Sequence, residues 1–132
     1  MEAVAYTRYI RISPKKIRFL GHALKGLSPI EARDRLMLRS EKAARILSDS
    51  IKTAQYNAIN NLKLSADNLR IKTIETGKGP FLKRWQPVSR GIAHQIKKRT
   101  SHIKVTLEAT QKKEQLKEIR PERKKDEMKG DK

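Results

Sequence analysis

From Thr76 through Leu107 the chain carries no Asp or Glu, while Lys78, Lys83, Arg84, Arg90, Lys97, Lys98, Arg99 and Lys104 all fall within it. A segment of this kind cannot neutralise itself, so its fold must leave the cations in water or set them against a polyanion. Gly79-Pro80 stands near its beginning and Pro87 to Gly91 at its middle, with flanking runs of similar length. That is the layout of a long hairpin over about residues 79–101. At about 3.3 Å per residue, arms of roughly ten residues project on the order of 30 Å. A two-stranded ribbon of that length, polar on both faces, is not stable in water alone and must lie against a partner. Trp85, between Lys83-Arg84 and Gln86-Pro87, has no apolar neighbours with which to build a core. It and Phe81 suit stacking or packing against nucleobases.

The whole chain extends the same constraint, with a formal charge of +18 on 132 residues. One compact domain is the ceiling for this length. The charge would push a compact state apart unless polyanions offset it, which implies nucleic acid or an anionic membrane as partner. A hydrophobic share of 36% with one Trp, three Tyr and two Phe permits only a modest core. The chain has no Cys, which removes disulfides, thiolate nucleophiles and Cys-ligated zinc, and suits a reducing compartment. Strand-like sequence begins at once, leaving no space for a signal or transit segment, and no apolar run approaches the roughly 20 residues of a membrane span. A soluble, cytoplasmic protein is expected.

Val4 to Ile12 is rich in β-branched and aromatic residues and closes at Ser13-Pro14, which predicts a strand. Ser13 as N-cap and Pro14 at the first helical position open a helix whose Ile17, Leu20 and Leu24 share a face, and Gly26 supplies a left-handed stop. Lys15-Lys16 and Arg18 put the wrong charge at the positive end of that helix, so an anionic partner is expected to offset it. Ser28-Pro29-Ile30-Glu31 is a capping-box signature for a short helix through about Arg39, with Ile30, Leu36 and Met37 predicted in the core. From Ser40 to about Asn60 a longer helix shows a stripe of Ala43, Leu47, Ser50, Ile51, Ala54 and Ala58, ending at Asn60-Asn61. Ser65 to Asn68 predicts one more turn. Leu69 to Ile74 and His102 to Leu107 predict strands with one face on the helices. The fold class is α+β: a small three-helix domain on a short antiparallel sheet, with a protruding hairpin. The domain is expected over residues 1–107. Residues 108–132 form a Lys/Glu-rich tail that cannot build a core, read as a solvated helix over Gln111 to Arg120 and a disordered end from Pro121.

Catalytic parts are missing. Glu31 and Asp34 have Arg33 and Arg35 beside them at the spacing of helix-surface ion pairs. His22, His94 and His102 are dispersed and form no set with metal-ligand spacing; His22 suits a helix surface and His102 a structural hydrogen bond or a phosphate contact. Gly77-Lys78-Gly79-Pro80 lacks the spacing and following helix of a phosphate-binding loop and reads as a turn. No nucleophile is paired with a base and an orienting group. Neither an enzyme nor a cofactor or metal site is expected.

Ile12-Ser13-Pro14-Lys15-Lys16-Ile17-Arg18, Ala54 with Asn57-Ala58 and Asn60, Gly79-Pro80 before Leu82-Lys83-Arg84, Gly91-Ile92-Ala93, and Ile96-Lys97-Lys98-Arg99-Thr100-Ser101-His102-Ile103 together form a specific pattern. It resembles the family of large-subunit ribosomal protein twenty-two, over roughly Val4 to Leu107. The resemblance implies a structural constituent of the large ribosomal subunit that binds large-subunit rRNA and supports assembly. In that family the hairpin lines the nascent-peptide exit tunnel, with ribosomal protein four and the nascent polypeptide as neighbours at the constriction and the macrolide pocket close by. The candidate rRNA-binding residues are Arg8, Arg11, Ser13, Lys15, Lys16, Arg18, Lys78, Lys83, Arg84, Trp85, Lys97, Lys98, Arg99, Thr100, Ser101 and His102. Pro87, Val88, Ser89, Arg90 and Gly91 are the candidates for the tunnel-lining tip. A DNA-architectural protein with basic ribbon arms is the chief rival. A cationic membrane-surface protein is a weaker one, because the Ala/Ser stripe lacks the bulky apolar face it needs.

Overall fold

The computed structural model describes residues 1–110 of the chain; the tail helix expected at Gln111 to Arg120 lies outside them. Strand β1 (Glu2–Ile10) leads to helices α1 (Pro14–His22), α2 (Pro29–Met37) and α3 (Lys42–Leu62). After a turn of 3-10 helix at Ala66–Asn68 come β2 (Leu69–Lys78), β3 (Leu82–Pro87), a second such turn at Ser89–Gly91, β4 (Ala93–Lys98) and β5 (Ser101–Ala109). The strands form an antiparallel sheet in the order β1-β5-β2 and a separate two-stranded ribbon, β3-β4. The α+β class is as the sequence predicts. β5 continues to Ala109, where Glu108 still pairs with both Glu2 and Arg70, so the sheet extends two residues beyond the expected boundary at Leu107.

Alternation dictates which sheet residues meet the helices. Ala3 and Ala5 of β1, Ile103, Val105 and Leu107 of β5, and Leu69 and Ile71 of β2 are buried on one face. An extra residue interrupts each outer strand. Thr7 and Ile10 face Ile103 and Ser101, a three-residue step against two, and Ile71 and Thr73 face Leu107 and Thr106. Such bulges change which side chains reach the core while raising the local twist. At the first, Tyr9 adopts φ 55°. This conformation is unfavourable for a non-glycine residue and is held by its N–H donating to His102 Nδ1 at 3.1 Å and by an edge-to-face contact of the two rings.

The predicted stripe of α3 is buried at every position, and its alanines let the helix sit close on β1 and β5. Ser50 within the stripe donates to Ile46 O and pairs with the Thr7 hydroxyl, both at 2.9 Å. α3 runs two residues past Asn60 to Leu62, and left-handed Lys63 (φ 54°), not the asparagine pair, turns the chain. α2 has both bonds of the capping box, but its core contribution differs from the expectation: Leu36 is buried while Ile30 and Met37 are 48% and 69% exposed. The buried stripe is Pro29, Ala32 and Leu36, spaced by three and four residues, and Ile30 and Met37 lie off it. Ser13 occupies the N-cap position of α1 without a side-chain capping bond, and Gly26 is left-handed (φ 82°) as predicted.

Gly77 and Lys78 continue β2 and do not form the expected turn. The break comes next. Gly79 N–H donates to Thr100 O at 3.0 Å, the Thr100 hydroxyl donates to Pro80 O, and the buried Ser101 hydroxyl donates to Ile12 O at 3.0 Å. A Cβ on Gly79 would collide with Thr100 Oγ1 and come within 3.1 Å of His102 Nε2, so this close approach requires glycine. Beyond the break, regular pairing runs from Leu82↔Lys98 to Pro87↔Ala93, six residues per arm and not ten. That is a reach of roughly 20 Å.

Candidate nucleic-acid interface

The junction between domain and ribbon holds a cleft of about 920 Å³ built from three parts of the chain. Arg11 and Ser13 come from the segment after β1, Lys15, Lys16 and Phe19 from α1, Glu41 and Lys42 from the start of α3, and Lys97, Lys98 and Arg99 from the end of β4. Of Lys15, Lys16, Arg18, Lys97, Lys98 and Arg99, the cations expected to cluster at the junction, all but Arg18 line the cleft, and Arg11 joins them. Lys42 and Phe19 were not among the sequence candidates; Lys42 is remote in sequence from the other cations, and Phe19 lies one helical turn beyond Lys15 and Lys16.

Electrostatically the cleft is one-sided. Seven cations line it against one carboxylate, Glu41, which is 3.8 Å from Arg39. Among the described residues the ion pairs are Arg39–Glu41, Lys72–Glu2 and Lys104–Glu75, and none engages a cleft cation. The first turns of α1 and α3 also contribute lining residues, and neither helix has an acidic residue in its first turn or a side-chain cap. Free N–H groups and the positive dipole ends of two helices thus add to the side-chain charge. The arrangement suits several phosphates at once.

The remaining candidates divide by position. Arg8 is exposed on β1 and Lys78 at the end of β2. Arg18, outside the cleft, donates to Thr76 O at 3.5 Å and ties α1 to β2. Lys83, Arg84 and Trp85 are exposed on β3, where Lys83 pairs across to Lys97 and Trp85 to Gln95. The ribbon consequently carries cations on both faces, Lys83 and Lys97 on one, Arg84 and Lys98 on the other. Trp85 is 68% exposed and Phe81 47%. Neither aromatic enters the core.

Thr100 and Ser101 belong elsewhere. Both are buried, and their hydroxyls donate to Pro80 O and Ile12 O, within the junction. His102 spends Nδ1 on the Tyr9 amide, the structural hydrogen bond the sequence suggested as one of two readings. At the tip, Pro87 to Gly91 are all exposed, Val88 N–H donates to Ile92 O at 2.8 Å, and Arg90 (φ 60°) and Gly91 (φ 70°) are consecutively left-handed. Gly91 takes this conformation freely. Arg90 does not. Among the described residues no three His, Cys, Asp or Glu side chains gather as a metal site, and no helix is long and apolar enough to cross a membrane.

Comparison with known proteins is consistent with this geometry. The family profile described as "Ribosomal protein L22p/L17e" matches residues 5–108. Over 107 residues, 81% of this chain, the sequence is 42% identical to the large ribosomal subunit protein uL22 of Fusobacterium nucleatum subsp. nucleatum, covering 96% of that protein. It is 43% identical over the same span to the proteins of that name from Chloroflexus aggregans and Thermus thermophilus, covering 95% of each. These relatives are structural proteins of the ribosome and not enzymes, and the DNA-architectural and membrane-surface alternatives fall with that match. With 81% of this chain and 95% or more of each relative covered, the chain belongs to the L22p/L17e family of large-subunit ribosomal proteins, and its place is the ribosome in the cytoplasm.

Proposed function

We propose that the chain binds large-subunit rRNA through the junction cleft and the outer ribbon, supports assembly of the subunit, and lines the nascent-peptide exit tunnel with its hairpin tip. The cleft carries the proposal: seven cations and two helix N-termini without a side-chain cap converge where, among the described residues, Glu41 is the only carboxylate. Arg11, Lys15, Lys16, Lys97, Lys98 and Arg99 engage phosphates there. Arg8, Lys78, Lys83, Arg84 and Trp85 extend the contact, and Ser13 contributes through its place at the head of α1. Thr100, Ser101 and His102 act indirectly, by fixing the angle at which the ribbon leaves the sheet. The tip, Pro87 to Gly91, meets the tunnel wall beside ribosomal protein four. It acts on the nascent polypeptide by shape and charge, with Arg90 setting a cation in a field made negative by phosphates.

Deleting Leu82-Lys83-Arg84 tests the tunnel assignment. An odd number of residues leaves one arm, so side-chain faces flip or the register shifts beyond the cut. Ribosomes carrying the deletion are expected to assemble, because it removes none of the residues that line the cleft, with a displaced tip by cryo-microscopy and altered macrolide sensitivity or nascent-chain stalling. An unmoved tip with normal stalling and drug response would refute the assignment.

A further inference from the structure

α1 presents one outward stripe: Lys15 and Lys16 precede Phe19 by four and three residues, and His22 and Ala23 follow it at three and four. Phe19 at its centre is 72% exposed and lines two cavities. One is the basic cleft. The other is a groove of about 510 Å³ between α1 and α2, walled by Leu20, Ala23, Leu24 and Leu36 with Arg35 and Arg39 as its charged lining. Among the described residues no carboxylate lines this groove.

We infer that the groove holds one unpaired base of the RNA whose phosphates occupy the adjacent cleft, with Phe19 as the stacking platform. This rests on the reading of the cleft as an rRNA site and names the RNA feature it takes. The ligand must be apolar on its faces to fill a leucine-walled slot, yet anionic next door to suit seven cations. A nucleotide combines the two within one residue. The base must be unpaired, because stacked A-form pairs do not offer a free face, whereas bases splayed from loops and bulges stack on aromatic rings and arginine planes. Arg35 and Arg39 supply such planes or donors to the base edge. An apolar peptide would fill the slot as well, but it would face Arg35 and Arg39, of which only Arg39 has a carboxylate beside it among the described residues, and would leave the cations of the adjacent cleft without a counter-charge.

Losing one base–aromatic stack is expected to weaken binding about 5- to 150-fold. The full-length chain is titrated with a protein-free large-subunit rRNA transcript across salt concentrations. Phe19→Ala should lower affinity by that factor while leaving the salt slope unchanged, because no phosphate contact is lost. Phe19→Trp should restore it. In parallel, a benzophenone amino acid is placed at position 19 or 98 and crosslinked in assembled large subunits. A crosslink from position 19 to a nucleobase supports the inference. If position 98 reaches rRNA while position 19 reaches a protein or nothing, the base site falls and the cleft assignment stands. If neither position reaches RNA, both fall.

Discussion

The inner and outer halves of the long hairpin have the same antiparallel pairing but opposite support. In the inner half, β2 and β5 bury Leu69, Ile71, Ile103, Val105 and Leu107 under the helices, and Glu75 lies 3.4 Å from Lys104. In the outer half, β3 and β4 expose every side chain except the partly covered Ile96, and among the described residues none of Lys83, Arg84, Lys97 and Lys98 has an ion-pair partner. Backbone pairing is common to both, so it is not what separates them. A core holds the first, while the second lacks one and carries the uncompensated charge that an RNA partner would neutralise.

The largest expected contrast is in stability. Leu107→Ala, at a fully buried position, should cost the free protein about 2–5 kcal/mol, whereas Trp85→Ala on the outer arm should stay within about 0.5 kcal/mol. Chemical denaturation of both variants measures this, and a comparable loss from Trp85→Ala would mean the outer ribbon packs on something in the chain. The charge half of the contrast is read from salt dependence. With about six phosphates engaged, log K should fall against log salt with a slope of roughly −4 to −5, and replacing Lys97, Lys98 and Arg99 by Gln should make it shallower by about 2–3. An unchanged slope would remove these residues from the interface.

Smaller effects sharpen the junction between the halves. Ser101→Ala leaves the Ile12 carbonyl without its donor and should cost about 1–2 kcal/mol in denaturation, with little direct loss of phosphate contact. The smallest effect belongs to the outer sheet face, where a hydrogen bond and the charge of Lys72 hold the Glu2 carboxyl below its ordinary value, and Glu2 in turn raises Lys72. A depressed carboxylate contributes stability that is fully present above its unfolded pKa and is lost as pH falls through the lowered folded value. The raised Lys72 contributes below its unfolded pKa and loses that contribution as pH rises through the folded one. Both groups are solvent-exposed, so the effect on stability is slight. An NMR titration should show the Glu2 midpoint moving up in Lys72→Met; no movement would dissolve the pair.

The pattern of what was readable in the sequence follows the same division. Period and alternation located α1, α2 and α3 and the three strands of the sheet, because the stripe of α3 and the alternation of β5 reflect a single buried face. They failed for Ile30 and Met37, where a nine-residue helix between turns offers too few repeats to fix its phase. The sequence grouped Lys15, Lys16, Arg18, Lys97, Lys98 and Arg99, but tertiary packing adds Lys42 and leaves Arg18 outside the cleft, and Phe19, one helical turn beyond Lys15 and Lys16, carried no charge to mark it. The inward bonds of Thr100 and Ser101 were not legible, because a hydroxyl among cations looks alike in sequence whether it turns outward or, as here, back to a carbonyl.

Hydrogen exchange on the amides of residues 82–98, in the free chain and in assembled large subunits, tests most directly whether RNA and not a core orders the outer ribbon. These amides should exchange rapidly in the free protein while those of α3 and β5 stay protected, and should become protected in the subunit. Protection in the free chain equal to that of α3 would contradict the account.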